Sequence, residues 1–405
     1  MKILHTSDWH IGSTLYGKRR YDEYQQFLTW LNTYINDNSI DVLLIAGDIF
    51  DTALPSNTAQ KMYYQFLWNL TQSSCKHIVI TGGNHDSATF LNAPKELLKS
   101  LNIHIIGAIT ENLEDEIINL NINNEKLTIL AVPYLRERDL RQNELGESYE
   151  DRNKKIIAGI QNHYQQLTNL VQTYENPIIA MGHLFIAGSK TQNDDGEREL
   201  YIGSLAQIGS NIFSEKISYV ALGHIHSAQK INNQENIRYS GSPLAMSFAE
   251  HNQNKKMILL ETITSQNTNA VFNITEINIP YFQQLLKIKG NIEFITNKIQ
   301  ELKETNSSIW LEIEYTGKEK ILNLKETIFS LIENSKLEVL KLKNPYNYPD
   351  SLTNNTIIQN LEETKPITIF EEKLKDTSFS DEQKNALIHC FNKILQQVED
   401  TDINE

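Results

Sequence analysis

Five short apolar runs in this chain each end in residues that bind metal ions. Lys2–Thr6 leads into Ser7-Asp8-Trp9-His10, and Val42–Ala46 leads into Gly47-Asp48-Ile49-Phe50-Asp51. His77–Thr81 leads into Gly82-Gly83-Asn84-His85-Asp86. Ile178–Met181 leads into Gly182-His183, and Tyr219–Leu222 into Gly223-His224-Ile225-His226. Carboxylates, imidazoles and an amide oxygen together suit hard or borderline divalent cations. Two such ions about 3.5–4 Å apart can clamp a phosphoryl group and activate water. The pair needs one carboxylate in common, and Asp48 is the natural bridge. It also needs neutral imidazoles, because carboxylates alone would repel an anionic substrate. Asp8 and His10, two residues apart just past a strand end, can turn towards one ion. Asn84 offers its amide oxygen, and His183, His224 and His226 complete the set. The remaining histidines, His5, His77, His104, His163, His251 and His389, read as ordinary surface or strand residues.

Something must bring these distant residues together. Continuous apolar runs of this length suit strands buried on both faces of a sheet. Ligands of such sheets gather outside the carboxyl ends of the strands, so the five motifs are expected on one rim. Between the runs, Tyr24, Phe27, Leu28, Leu31 and Ile35 recur at helical spacing, as do Met62, Tyr63, Phe66, Leu67 and Leu70. Further strands are expected at Thr128–Val132 and Met257–Glu261. This alternation predicts an α/β domain over about the first 278 residues. Residues 279–346 change character: strand, helix, strand, helix and strand follow one another, which predicts a small α+β domain. The two prolines in Asn344–Pro349 mark a boundary. Residues 347–405 read as a linker and a helical tail. There Ser380 and Gln383 form a capping box, and Leu387, Phe391, Ile394, Leu395 and Val398 an apolar stripe. The polar stretch Lys190–Glu199 reads as a surface loop.

Composition narrows the class. A chain of 405 residues, 40% apolar and 22% charged, fits a multidomain globular protein. No run approaches the roughly 18 apolar residues that span a bilayer, and the N-terminus lacks signal-peptide character. Cys75 and Cys390 have neither disulfide nor zinc spacing, so a reducing cytoplasm is the expected location. The net charge is −14. Residues 1–280 carry 22 basic and 30 acidic side chains, residues 281–350 carry 10 of each, and residues 351–405 carry 5 and 11. No segment is basic overall, which argues against autonomous, tight nucleic-acid binding. Bound cations and a basic partner would offset the acidity.

At these motifs the chain resembles the calcineurin-like metallophosphoesterases. That family carries Asp-x-His, Gly-Asp-x-x-Asp, Gly-Asn-His-Asp/Glu, Gly-His and Gly-His-x-His in this order, and all five are present. The resemblance implies a two-sheet sandwich flanked by helices, with a small α+β capping domain and a helical C-terminal tail added here. It implies two divalent ions, manganese first, with magnesium or iron(II) as alternatives. Asp8, His10, Asp48 and His226 would hold one ion, and Asp48, Asn84, His183 and His224 the other. His85 would act on substrate as the catalytic residue. Asp51 and Asp86 would orient His85 or a metal-bound imidazole, or else stabilise their own turns. Tyr239–Pro243 would either offer backbone N–H groups to a phosphate or form a plain turn.

Three further stretches, His5–Gly12, Val132–Arg136 and Arg238–Pro243, resemble the branch of double-strand-break repair nucleases. That likeness implies double-strand exonuclease and single-strand endonuclease activity in DNA repair, recombination and replication. It also implies DNA as substrate, a coiled-coil ATPase docked on the tail, and a homodimer within a heterotetramer. Thr52-Ala53 after Asp51, and Asp86 after His85, depart from the protein phosphatases. A phosphodiesterase for small nucleotides and a catalytically idle ATPase scaffold are the competing functions. The extra C-terminal segments argue against the first, and the complete ligand set argues against the second.

Overall fold

The computed structural model describes residues 1–141, 147–189, 208–263, 271–321 and 323–344, with Leu374, Lys384, Leu387, Ile388 and Phe391 helical in the tail. The loop expected at Lys190–Glu199 and most of the linker and tail, including Ile394, Leu395 and Val398, lie outside the described residues. Met1–Lys343 forms one compact unit and Asn344–Glu405 a second.

The first unit contains two six-stranded sheets. The strands are β1 (Lys2–Thr6), a short hairpin of β2 (Thr14–Leu15) and β3 (Lys18–Arg19), β4 (Val42–Ala46), β5 (His77–Thr81) and β6 (Ile103–Ile106). They continue with β7 (Ile117–Ile122), β8 (Glu125–Ala131), β9 (Ile178–His183), β10 (Tyr219–Gly223), β11 (Gln229–Ile231), β12 (Gln234–Tyr239), β13 (Lys256–Thr262) and β14 (Phe272–Asn278). The helices are α1 (Tyr21–Asp37), α2 (Asn57–Leu70), α3 (Ala88–Asn92), α4 (Lys95–Lys99), α5 (Glu137–Leu140) and α6 (Tyr149–Leu170).

One sheet has the order β14-β13-β1-β4-β5-β6 and the other β11-β12-β10-β9-β8-β7. The strands that end in metal-ligand motifs are central and parallel: β1, β4 and β5 in the first sheet, β9 and β10 in the second. Alternation along each strand divides its side chains between two cores. Val42, Leu44 and Ala46 face the second sheet and meet Ile179, Met181 and Ala221. Leu43 and Ile45 face the other way and pack under Phe27 and Leu31 of α1 and Phe66 of α2. On the far side, Leu130, Ala180 and Leu222 lie beneath Ile160, Tyr164 and Leu167 of α6. The layers therefore run helix, sheet, sheet, helix, as the α/β sandwich requires. Side-chain caps start α2 and α6: Ser56 accepts from the Ala59 N–H and Ser148 from the Asp151 N–H, both at 3.2 Å.

After β14 come β15 (Gln284–Gly290), α7 (Ile292–Glu304), β16 (Ile309–Tyr315), α8 (Leu324–Ile332) and β17 (Leu337–Lys343). The three strands are parallel in sequence order. Ile288, Leu311 and Ile313 form a separate core with Ile295 and Ile299 of α7 and Ile328 of α8. The opposite sheet face meets the β2–β3 hairpin, where Leu15, Phe248, Leu285 and Trp310 are buried together. Lys18 pairs with Glu338 at 2.6 Å, and Lys341 donates to the Tyr16 hydroxyl at 3.0 Å. Among the described residues, no helix is long and apolar enough to cross a membrane.

Candidate metal centre

The carboxyl ends of β1, β4, β5, β9 and β10 open on one rim, and the seven expected ligands converge there. Three triads place one ligand atom from each member within 4.8 Å of the others: Asp8, His10 and His226; Asp8, Asp48 and His183; and, at the exposed edge, His10, Asp51 and His85. Asp48 stands between two groups of imidazoles. Its Oδ2 is 3.6 Å from His10 Nε2 and 3.2 Å from His183 Nε2. His10 Nε2 lies 3.1 Å from His226 Nε2. On the other side, Asn84 Oδ1 is 3.0 Å from His183 Nε2 and 3.1 Å from His224 Nδ1.

The backbone is strained to achieve this. Asp8 (φ 53°), His10 (φ 48°), Asp48 (φ 49°) and His224 (φ 100°) all occupy the positive-φ region, which is costly for non-glycine residues and concentrates at functional sites. The glycines beside the ligands have a separate cause. A Cβ on Gly83 would strike the Asp48 carboxylate, and one on Gly223 would strike the Ala46 carbonyl oxygen. Hydrogen bonds hold the strained loops. The His224 N–H donates to Asp8 Oδ1 at 2.8 Å, and the Ser7 hydroxyl donates to Asp8 Oδ2 at 2.5 Å. The His85 N–H donates to Asp48 Oδ1 at 2.9 Å.

The donor set fits divalent cations. His183 Nδ1 donates to the Ala46 carbonyl at 3.0 Å, which leaves Nε2 as the ring atom that faces Asp48 and Asn84. An outer hydrogen bond of this kind orients a metal-binding imidazole. The charge pattern agrees. Burial opposes ionisation of Asp48, yet His183 and His10 hold its carboxyl well below the usual range. Burial pushes Asp8 up to about 6. Burial also opposes the imidazolium forms of His10 and His183, but the surrounding carboxylates win and raise them to about 9 and about 10. Burial, then the neighbouring His183 charge, lowers His224 to about 3, and burial with His10 lowers His226. The buried carboxylates thus demand positive charge at the position where cations would sit.

The remaining expected residues fall around this cluster. His85 is exposed, and its ring lies 4.9 Å from that of His10, nearly perpendicular. Its Nδ1 donates to the Asp51 carbonyl oxygen at 2.9 Å. The Asp51 carboxylate lies 3.5 Å from His10 Nδ1, behind the imidazole. Asp86 is buried and accepts from the N–H groups of Ile49, Phe50 and Gly83 at 3.1, 3.0 and 2.9 Å. It clamps the Asp48 loop to the Asn84 loop. In the Tyr239–Pro243 turn, the Ser242 N–H is already taken by the His226 carbonyl at 3.1 Å, which favours the plain turn.

Two supports escape sequence reasoning. Lys255 is buried, and its Nζ donates to the His226 carbonyl at 3.1 Å, to Ser242 Oγ at 2.9 Å and to the Glu250 carboxylate. Ser240 Oγ meets Ser7 Oγ at 2.8 Å. The Arg238–Pro243 stretch stands out in the sequence, but nothing local ties it to Asp8 or His226. His5 is a core residue, with Nδ1 3.0 Å from the Tyr219 hydroxyl and Nε2 3.2 Å from the Leu222 carbonyl.

A rim of carboxylates and imidazoles on a two-sheet sandwich, with two buried cation-binding clusters, defines a dinuclear-metal hydrolase. The calcineurin-like phosphoesterase family model matches residues 1–228. A second model, the type 5 capsule protein repressor C-terminal domain, matches residues 281–378. The chain is 31% identical over 401 residues to the SbcD subunit of the nuclease SbcCD from Escherichia coli K12, covering 98% of each chain. It is 33% identical over 265 residues to the protein of the same name from Bacillus subtilis, covering 64% of this chain and 66% of that one. Over 402 residues it is 27% identical to the Staphylococcus epidermidis protein of that name, covering 98% and 100%. The chain belongs to the calcineurin-like phosphoesterase family, and within it to the SbcD branch.

Proposed function

We propose that the chain is a metal-dependent DNA nuclease, a double-strand exonuclease and single-strand endonuclease, working with an SbcC-type coiled-coil ATPase in DNA end processing, repair and recombination. The observation that carries this reading is the placement of Asp48 between the His10/His226 and His183/Asn84/His224 groups. End-to-end similarity to a nuclease subunit supports the choice of DNA over a small nucleotide.

Asp8, His10, Asp48 and His226 hold one ion in this reading, and Asp48, Asn84, His183 and His224 the other, with manganese the expected metal. When bound, the pair would supply positive charge for the phosphate oxygens and activate water for attack on phosphorus. The chain's own residues do the rest. Asp48 balances the charge of both ions. His85, anchored through Nδ1, keeps Nε2 for the substrate, and in the imidazolium form its Nε2–H donates to the phosphate or protonates the leaving oxygen. Asp51 orients the His10 imidazole from behind. Residues 1–278 form the nuclease domain, 279–346 the capping domain, and 347–405 the linker and ATPase-binding tail. The assembly is a homodimer within a heterotetramer, in the cytoplasm at the nucleoid.

The test is a nuclease assay on circular single-stranded DNA and on linear duplexes with free or blocked ends. It uses the full chain with manganese, with and without the partner ATPase and ATP. Manganese-dependent cleavage that EDTA abolishes supports the reading. Hydrolysis of small nucleotide diesters with no cleavage of DNA would replace it with the small-substrate alternative.

A further inference from the structure

A second recess adjoins the metal centre. Tyr134 and Leu135 after β8 and Leu184 and Phe185 after β9 form its walls, and Tyr164 of α6 is part of its lining. His183 and His224 form its inner rim. Counting its open mouth it spans about 390 Å³, a shallow open groove and not an enclosed cavity. Among the described residues, no Asp, Glu, Lys or Arg side chain lines it, so this lining does not suit a phosphate. It offers flat apolar surface instead.

The lining is fixed in place. The Tyr134 N–H donates to the Gly82 carbonyl at 2.8 Å, which ties this wall to the loop carrying Asn84. The Tyr134 ring meets the His183 imidazole edge to face, with centroids 6.2 Å apart at 82°. Tyr164 is fully buried, and its hydroxyl donates to the Met181 carbonyl at 3.0 Å. Tyr164 thus backs the recess from beneath, and the partly exposed Tyr134 and Phe185 rings are the aromatic surface open to a ligand.

We infer that this recess receives one unstacked nucleobase, from a nucleotide that bears the scissile phosphate. The inference rests on the nuclease reading proposed for this site. Covalent connectivity selects the occupant: a phosphodiester at the metal centre carries a sugar and base on each side, and the recess opens beside that centre at His183 and His224. Bases stack on aromatic side chains with little regard to sequence. A base can enter only after leaving its own stack, which is easiest in single strands and at frayed ends. The recess therefore gives the site a preference for unpaired nucleotides without reading their identity.

The test uses single-stranded oligonucleotides with one cleavable phosphodiester, all other linkages being methylphosphonates. The nucleotide on either side of the cleavable bond carries a natural base or an abasic tetrahydrofuran. In the parent chain with manganese, removing the base on one side should lower kcat/KM roughly ten-fold or more, and removing the other should not. In Phe185→Leu and Tyr134→Leu, checked for metal content, that ratio should shrink towards one. Equal cleavage of intact and abasic oligonucleotides by an active parent would overturn the inference and leave the nuclease reading standing. Failure to cleave any oligonucleotide would overturn both. The parent arm needs no variant, so a variant that does not fold leaves the test decisive.

Discussion

His85 Nδ1 donates to the Asp51 carbonyl oxygen at 2.9 Å, which anchors the imidazole by its inner nitrogen and leaves Nε2 without that tie at the exposed end of the ring. A carbonyl can only accept, so the neutral ring must carry its proton on Nδ1. The same residue's carboxylate stands behind His10. Asp51 thus touches both imidazoles, one through its backbone and one through its side chain.

His85→Gln should separate binding from chemistry. Both metal equivalents should remain, while turnover falls about 10²–10⁴-fold, the range of general acid–base groups. Metal analysis beside kcat on one oligonucleotide checks this. Loss of one ion would make His85 a ligand.

Lys255 should matter to both stability and the site. Lys255→Met removes the ammonium paired directly with the fully buried Glu250. Breaking such a pair costs about 3–5 kcal/mol, and it also frees the His226 carbonyl. Urea unfolding should show the loss, and Lys255→Met with Glu250→Gln should recover much of it. An unchanged unfolding midpoint in the single variant would contradict this role.

His5 should impose a pH dependence of its own. Its imidazole is fully buried, and burial holds it neutral, down to about 3. The unfolded chain takes up a proton below about 6.5 while the folded chain does not. Stability attributable to this group is therefore present above about 6.5 and is lost as pH falls towards 3. At pH 5 the loss should be about 2 kcal/mol. His5→Gln should remove that part of the slope, measured as the difference between parent and variant at pH 7 and pH 5. Parallel curves would contradict it.

The tail should be separable from the chemistry. Truncation before Thr364 should leave manganese-dependent cleavage of simple DNA largely intact and weaken association with the ATPase. The 5 basic and 11 acidic residues from 351 onward call for a basic docking surface and salt-sensitive binding. A pull-down at two salt concentrations reads both. Unchanged ATPase binding by the truncated chain would return the tail to ordinary core.

The parts legible in the sequence share one physical cause. β1, β4, β5, β9 and β10 are buried on both faces, so each reads as an unbroken apolar run, and the residues just past each run lie on the rim. That exposes Asp8, Asp48, Asn84, His183 and His224. Helical spacing likewise exposes α1, α2, α7 and α8. The hidden parts depend on tertiary contact. Lys255 beside Lys256 reads as a surface pair, and only the fold turns it inward onto Glu250 and the His226 carbonyl. Asp86 carries the same letters whether it orients a histidine or clamps a loop, and only its three N–H donors decide. The edge strands β7, β11 and β14 lack the long apolar run, and the two-residue strands β2 and β3 are too short to show any period.

The central claim is that one carboxylate serves two ions. Asp48→Ala should be loaded with manganese, dialysed and analysed for bound metal beside the parent, with circular dichroism as the control for folding. The shared bridge predicts about two equivalents in the parent, loss of both in the folded variant, and nuclease activity at background. A folded Asp48→Ala chain that keeps both ions and cuts DNA at the parent rate would contradict it.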